Sequence, residues 1–118
     1  MTAIETLENF FAELKKKDCK YVDVKKYITK TQQIESEFVG KKNVESHLNG
    51  IYNVVQYCSD VKIKEKISTN NVMKTFILTF IGQSKVKMEC TCVKEIDKRK
   101  PDKNGVWGVN VESFKLIK

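Results

Sequence analysis

Residues 107–117, WGVNVESFKLI, carry apolar side chains first on one parity and then on the other. The first half alternates with glycine or asparagine, as a β-strand with one buried face does: Trp107, Val109 and Val111. Phe114 and Leu116 continue the apolar pattern on the opposite parity. Because extra residues in one strand shift its alternation, the switch predicts a β-bulge between Val111 and Phe114 that bends the sheet around a helix.

Three earlier segments predict the other strands of an antiparallel meander: 61–67 VKIKEKI, 72–82 VMKTFILTFIG and 86–93 VKMECTCV. The first and the third alternate between apolar and polar or charged residues. The middle segment is apolar on both parities, whereas a strand with one face in water alternates. We therefore expect both faces of this strand to be covered, one by helices and the other by a second chain, a ligand or a partner.

Three helices are predicted before these strands. The first has a cap region near Thr6 and repeats apolar residues at helical spacing: Ile4, Leu7, Phe10, Phe11 and Leu14. The second, within residues 21–28, is short, with these anchors: Val22, Val24 and Tyr27. The third, within residues 41–60, carries one stripe: Val44, His47, Leu48, Ile51, Val55 and Cys58. Residues 32–39, QQIESEFV, are predicted to form a strand.

Helices followed by an antiparallel meander define the α+β class, and 118 residues suit one domain spanning residues 1–118. Together with the predicted bulge, this order gives three N-terminal helices packed in the concave face of a strongly bent antiparallel sheet.

The chain is basic, with 22 lysines and arginines against 15 acids and a formal net charge of +7. Such a balance favours anionic partners. Arg99 is the only arginine, however, and arginine is the residue suited to bidentate phosphate and base contacts. We therefore interpret the lysines as a solvated surface. Unspecific nucleic-acid binding stays an alternative, with residues 98–105, KRKPDKNG, as the densest basic cluster.

The four cysteines lie outside any Cys-x2-Cys metal pattern: Cys19, Cys58, Cys90 and Cys92. We expect all four to be reduced core residues, with no metal and no cofactor. The first ten residues, MTAIETLENF, lack the basic start and apolar run of a signal peptide, and no apolar run is long enough to span a bilayer. The expected location is therefore cytoplasmic or nuclear, not secreted and not in a membrane.

The titratable residues give little support for catalysis. His47 is the only histidine and is predicted to lie on or beside the apolar stripe of the third helix, as a core residue. A buried carboxyl group could act as a base near neutral pH. Among the acids considered, only Glu65 has the apolar parity of its strand, and a charge there also protects a sheet edge.

Three motifs resemble the nuclear transport factor 2-like superfamily, whose fold is a cone of helices inside a bent sheet. Residues 38–48, FVGKKNVESHL, are similar to its strand, glycine and third helix, and residues 76–83, FILTFIGQ, to its long central strand. Residues 107–116, WGVNVESFKL, resemble its closing signature, in which an aromatic residue and a valine precede an acid, phenylalanine, a basic residue and leucine. These motifs are closer to the nuclear-transport branch than to the small enzymes.

The resemblance implies a non-enzymatic adaptor in nucleocytoplasmic transport. Members of that branch form homodimers, or heterodimers with a related domain of a messenger-RNA export receptor, through the open face of the sheet. They also bind phenylalanine-glycine repeats of nuclear-pore proteins. The import carrier holds the GDP form of the small GTPase Ran with acidic residues, whereas this chain is basic and has Ile34 and Val39 near the family's glycine. An export cofactor is therefore expected rather than a Ran carrier.

The candidate partner-binding residues come from the central strands and the closing motif: Phe76, Phe80, Met88, Trp107, Glu112, Phe114 and Lys115. Two alternatives remain open. A small-molecule-binding or isomerase/dehydratase-type enzyme of the same fold predicts an open pocket with a convergent acid or histidine. A nucleic-acid-binding module predicts a continuous basic surface and strongly salt-dependent binding.

Overall fold

The computed structural model describes residues 2–16, 18–66, 70–95 and 105–117. Its helices are α1 (Ala3–Leu14), α2 (Tyr21–Val24), α3 (Lys30–Val39) and α4 (Lys42–Gln56), with a 3-10 turn, Lys25–Tyr27, after α2. Its strands are β1 (Cys58–Glu65), β2 (Met73–Gly82), β3 (Lys85–Glu95) and β4 (Val106–Leu116). Helices therefore precede an antiparallel sheet, and the predicted α+β class is confirmed.

Four helices are present in the described residues where three were predicted, because residues 32–39 belong to α3 and not to a strand. The hydroxyl of Thr29 accepts a hydrogen bond from the Gln32 amide at 3.3 Å and caps the helix. Glu95 at the end of β3 adds a second cap, since its carboxylate accepts the Lys30 amide at 2.5 Å and the Thr31 amide at 3.1 Å. Gly40, with φ of 98°, ends the helix.

The first helix begins earlier than its predicted cap region. Thr2 is the cap, in a reciprocal pair with Glu5: the Glu5 amide donates to the Thr2 hydroxyl at 3.2 Å, and the Thr2 amide donates to the Glu5 carboxylate at 3.1 Å. Thr6 is buried and donates its hydroxyl proton to the Thr2 carbonyl. The predicted stripe of α1 is buried except for Ile4, which is 39% exposed.

The sheet has the strand order β1-β2-β3-β4, is antiparallel throughout and is not closed, which confirms the predicted meander. One face of β2 is buried against the helices through Phe76, Leu78 and Phe80. The register places Cys90 opposite Phe76 and Met88 opposite Leu78, so both lie on the same helix-facing side. Beyond β4, Ile28 forms a single parallel bridge with Val109.

The predicted bulge in β4 is confirmed. Thr91 pairs with Asn110, but Glu89 pairs with Lys115, so a single residue of β3 lies opposite four residues of β4. This insertion produces the change of parity that the sequence shows. Val111 is buried before the insertion, and after it the ring of Phe114 returns to the helix side, 6.3 Å from Phe10 and 6.2 Å from Phe11.

Candidate protein-interaction site

The side of the sheet that points away from the helices is called the open face. Since successive side chains of a strand point to opposite faces, the residues that alternate with the buried positions form it. Its centre is on β2: Thr75, Ile77, Thr79 and Ile81. Its flanks carry six lysines and three acids, of which Glu95 caps α3: Lys62, Lys64, Lys66, Lys85, Lys87, Lys115, Asp60, Glu89 and Glu95.

The strand register arranges these side chains in rows across the sheet. Ile77 lies between Lys64 and Glu89, and Thr79 lies between Lys62 and Lys87. The β2 side chains of the open face are half-buried, while these lysines are exposed. Lysine stems cover apolar surface and leave the ammonium groups in water, so the centre of the face is only partly shielded.

We expected both faces of β2 to be covered. The helices cover one face, whereas on the other Ile77 and Ile81 lie between lysines and the pair Met73 and Val93 adds further apolar surface at one end of the strand. The charge of the open face is strongly positive. Glu89 is paired with Lys66 at 3.4 Å, which leaves most of the lysines without an acid on this face to balance them. A positive field of this kind attracts acidic partners and raises their rate of association.

Four of the predicted partner-binding residues lie on the helix side instead. Phe76 and Phe80 are each 1% exposed, and the Phe80 ring packs edge-on against Phe11 at 5.7 Å. Met88 and Phe114 are half-buried on the same side. Phe76 and Phe80 therefore belong to the core of the folded chain, whereas Met88 and Phe114 keep part of their surface in solvent.

The other three predicted residues lie apart from one another. Trp107 is half-buried, and its ring centre is 5.6 Å from the ammonium of Lys74. The Glu112 carboxylate accepts a hydrogen bond from the Asn43 amide group at 3.0 Å, near the start of α4. Lys115 alone lies on the open face, opposite Glu89.

The residues that sequence reasoning missed occupy the other parity of the same strands. Ile77 and Ile81 alternate with the core phenylalanines of β2, and Lys62 and Lys64 alternate with the apolar residues of β1. The signal was the strict lysine alternation of residues 61–67, which marks the side of β1 that stays in water.

His47 and Glu65, the two residues weighed for a catalytic role, are both exposed. His47 is exposed on α4, so its predicted core position is wrong. It lies one residue before Leu48 and on the solvent side of the buried stripe. Glu65 is exposed and pairs with Lys74 at 3.2 Å. The predicted basic loop lies outside the described residues, except for Gly105.

All four cysteines were predicted to be core residues; Cys58, Cys90 and Cys92 are buried, whereas Cys19 is only half-buried. Cys90 and Cys92 point to the same face, as predicted, and both are fully buried. Burial raises the pKa of the Cys92 thiol to about 12 and raises the pKa of the Cys90 thiol as well, with the neighbouring Cys92 as a further cause. In the described ranges, no three histidine, cysteine or acidic side chains are grouped to hold a metal ion.

A groove of about 490 Å³ lies between the end of α1, α2 and α4. Its floor is apolar and buried: Leu14, Val24 and Leu48. Tyr21 and Tyr52 line its walls, and the ammonium of Lys41 lies 5.6 Å from the centre of the Tyr21 ring. Cys19 also lines the groove, and burial raises the pKa of its thiol. This groove contains no residue of the sheet.

Within the described part of the chain, every helix is too short or too polar to cross a membrane. Comparisons with protein-family models, with curated proteins and with solved structures find no significant match to the chain.

Proposed function

We propose that this chain is a non-enzymatic protein-binding domain whose open face docks on an acidic partner, in the role of a messenger-RNA export cofactor. The observation that carries the proposal is the open face itself, where Ile77 and Ile81 form an apolar centre between exposed lysines. An apolar centre with a charged rim is the ordinary anatomy of a protein interface. The export role comes from the resemblance of residues 107–116 to the closing signature of the nuclear transport factor 2-like superfamily.

The charge of the open face favours a different chain over a second copy. Two copies meeting through this face would bring six lysines against six, with three acids on each side, of which Glu95 is engaged at the start of α3 and Glu89 is paired with Lys66. Like charges that face each other across an interface cost several kcal/mol. A related domain with an acidic sheet would instead pair with these lysines. Of the two expected assemblies, the homodimer and the heterodimer, we therefore prefer the heterodimer.

We also infer that the sheet bends around the helices in the cone arrangement of that superfamily. Two features support the inference. The bulge of β4 returns Phe114 to the helix side beside Phe10 and Phe11, and Ile28 pairs with Val109 beyond the last strand. Bulges of this kind bend the strand that contains them.

The groove between α1, α2 and α4 supports a second candidate function, the binding of a small molecule. Its volume of about 490 Å³ is within the range of ligand sites, and its buried floor and tyrosine walls suit an apolar or aromatic compound. Glu45 and Lys20 add one acidic and one basic side chain to its lining. Because the pKa of the Cys19 thiol is raised, Cys19 is disfavoured as a thiolate nucleophile. A ligand that raises the melting temperature of the wild type, but not of a Tyr52→Ala variant, would favour this function.

Calorimetric titration against the related domain of a messenger-RNA export receptor tests the proposed function. We expect one receptor domain to bind per chain, with an affinity that falls as the salt concentration rises. The double variant Ile77→Asp/Ile81→Asp should abolish binding, because it places two acids in the apolar centre. Val22→Asp is the matched control, since Val22 is 71% exposed on α2 and lies outside the sheet.

Two results would contradict the proposal: no binding by the wild type, or equal binding by the wild type and the double variant. A parallel titration with single-stranded RNA separates the nucleic-acid alternative. Tight RNA binding that disappears at modest salt, together with no receptor binding, would assign the lysines to nucleic acid.

A further inference from the structure

Helix α3 is inverted with respect to a normal surface helix. Its buried positions are polar: Gln32 is 5% exposed and Ser36 is 4% exposed. The Gln32 amide group donates to the Asn110 side chain at 2.9 Å, its oxygen accepts the Val111 amide at 3.1 Å, and Ser36 is hydrogen-bonded to the Tyr21 hydroxyl at 2.8 Å. This polar side holds α3 to the rest of the chain.

The apolar side of α3 faces solvent. Ile34 is 53% exposed, Phe38 is 86% exposed and Val39 is 78% exposed. Ile34 and Phe38 are four residues apart, so they lie on the same face of the helix. Gly40 then turns the chain into α4, and the space around it is open. A cluster of large apolar side chains at such an exposed corner marks an interaction site.

Charges follow a fixed order along this corner. Glu35 and Glu37 lie before Phe38, and Lys41 and Lys42 lie after it; all four side chains are exposed. Acids near the end of α3 and lysines at the start of α4 oppose both helix dipoles, so the order does not stabilise the helices themselves. Glu37 has one long contact, with Lys25 at 4.0 Å, and Lys41 lies over the Tyr21 ring.

The order is self-complementary. If two copies meet antiparallel about a two-fold axis at Phe38, the acids of each copy lie opposite the lysines of the other. A two-fold interface needs this property, because the same patch serves on both sides.

We propose that residues 34–42, the α3 corner, form a self-association surface that pairs with the same corner of a second copy. The apolar side chains meet at the centre and the charges pair on either side. The surface is small, so the association is weak and reversible. It uses none of the open-face residues, and the proposal stands independently of the export role.

Sedimentation velocity over a range of protein concentrations tests this proposal. The wild type should sediment faster as its concentration rises. Phe38→Ser should lower the association constant at least about tenfold, because two phenylalanine side chains leave the interface. Ile77→Asp/Ile81→Asp should leave the association unchanged. Because Phe38 is almost fully exposed, its replacement leaves the core intact, and circular dichroism checks the fold.

A charge exchange makes the test specific for the two-fold pairing. Glu35→Lys/Glu37→Lys makes the corner wholly basic, and Lys41→Glu/Lys42→Glu makes it wholly acidic. Both exchanges favour the helix dipoles, so each variant should fold. Alone, each variant should remain monomeric, whereas an equimolar mixture should associate at least as strongly as the wild type. A wild type that stays monomeric at every concentration, exchange variants that self-associate, or a mixture that does not associate would overturn the proposal.

Discussion

Ser113 replaces a backbone partner that the bulge of β4 removes. Its hydroxyl accepts a hydrogen bond from the Thr91 amide at 2.8 Å and donates to the Asn110 carbonyl at 2.6 Å. The register shift leaves the Thr91 amide without its ordinary strand partner, and an amide held partly out of water is destabilising without a partner. One side chain thus makes the change of parity tolerable.

Ser113→Ala should therefore lower the free energy of unfolding by about 1 kcal/mol, the contribution of a typical hydrogen bond. Urea denaturation measures the change. Ser59→Ala is the matched control, because the Ser59 hydroxyl makes one exposed hydrogen bond, to the Ile81 carbonyl, and its loss should change stability by less than about 0.5 kcal/mol. Equal effects of the two substitutions would mean that Ser113 has no special role in the bulge.

The buried thiols of Cys90 and Cys92 make stability depend on pH in the alkaline range. Both pKa values are raised in the folded chain above the ordinary thiol value of 9.0, to about 12 for Cys92. Below pH 9 the thiols are protonated in both the folded and the unfolded chain, and their contribution is complete. Above it the unfolded chain ionises first, so stability falls as the pH rises towards 12.

Above the pKa that a thiol has in the unfolded chain, each thiol should lower the free energy of unfolding by about 1.4 kcal/mol per pH unit. Urea denaturation at a series of pH values from about 8 to about 10 measures it. The double variant Cys90→Ala/Cys92→Ala should be less stable at neutral pH but should lose less on going to alkaline pH than the wild type does. Parallel pH profiles for the two proteins would show that the thiols are not buried as described.

At the scale of elements, two glycines have opposite roles. Gly108 lies where β4 meets the segment before α3, and a Cβ atom there would be 2.7 Å from the Thr29 Cα and 2.8 Å from the Thr29 nitrogen. Those atoms belong to the backbone, so they cannot avoid the contact by a change of side-chain rotamer. Gly50 lies inside α4 with nothing within 4 Å of a Cβ atom.

Gly50→Ala should therefore raise the free energy of unfolding by about 1 kcal/mol, since alanine is the better helix former. Gly108→Ala should lower it by about 1–3 kcal/mol, as overpacking does, because the bridge between Ile28 and Val109 must move apart. Thermal unfolding of the two variants beside the wild type measures both effects. A stabilised Gly108→Ala variant would show that α3 does not approach β4 so closely.

The sequence correctly predicted those helices and strands in which the apolar residues recur at the positions that become buried. The α1 and α4 stripes, the meander and the bulge at Val111 to Phe114 all have this property. Helix α3 has the reverse pattern: Ile34 and Phe38 face solvent, while Gln32 and Ser36 are buried by hydrogen bonds to distant residues. No apolar stripe therefore marks residues 32–39 as a surface helix, and they were predicted to form a strand.

The candidate site was predicted less well for a similar reason. The sequence showed that β2 is apolar on both parities but not which parity faces the helices. Phe76 and Phe80 were among the residues favoured for partner contact, but they lie in the core, where an aromatic ring buries a large apolar area. The smaller Ile77 and Ile81 lie on the open face.

At the scale of the whole molecule, the basic charge is not spread evenly. The lysines of β1 and β3 place a positive surface on the side of the sheet away from the helices, whereas the α3 corner carries both signs in sequence order. The two surfaces use different residues, so a copy that self-associates through its α3 corner still has its open-face residues available for another partner. The proposed function requires the open face to be the surface that a partner covers.

Lysine labelling with an amine-reactive reagent, read by mass spectrometry in the free chain and in its complex, shows which surface the partner covers. A bound receptor domain should protect the open-face lysines Lys62, Lys64, Lys85 and Lys87, while Lys26 on the helix side keeps its reactivity. Unchanged labelling of the open-face lysines in a complex that protects Lys26 would contradict the proposed function.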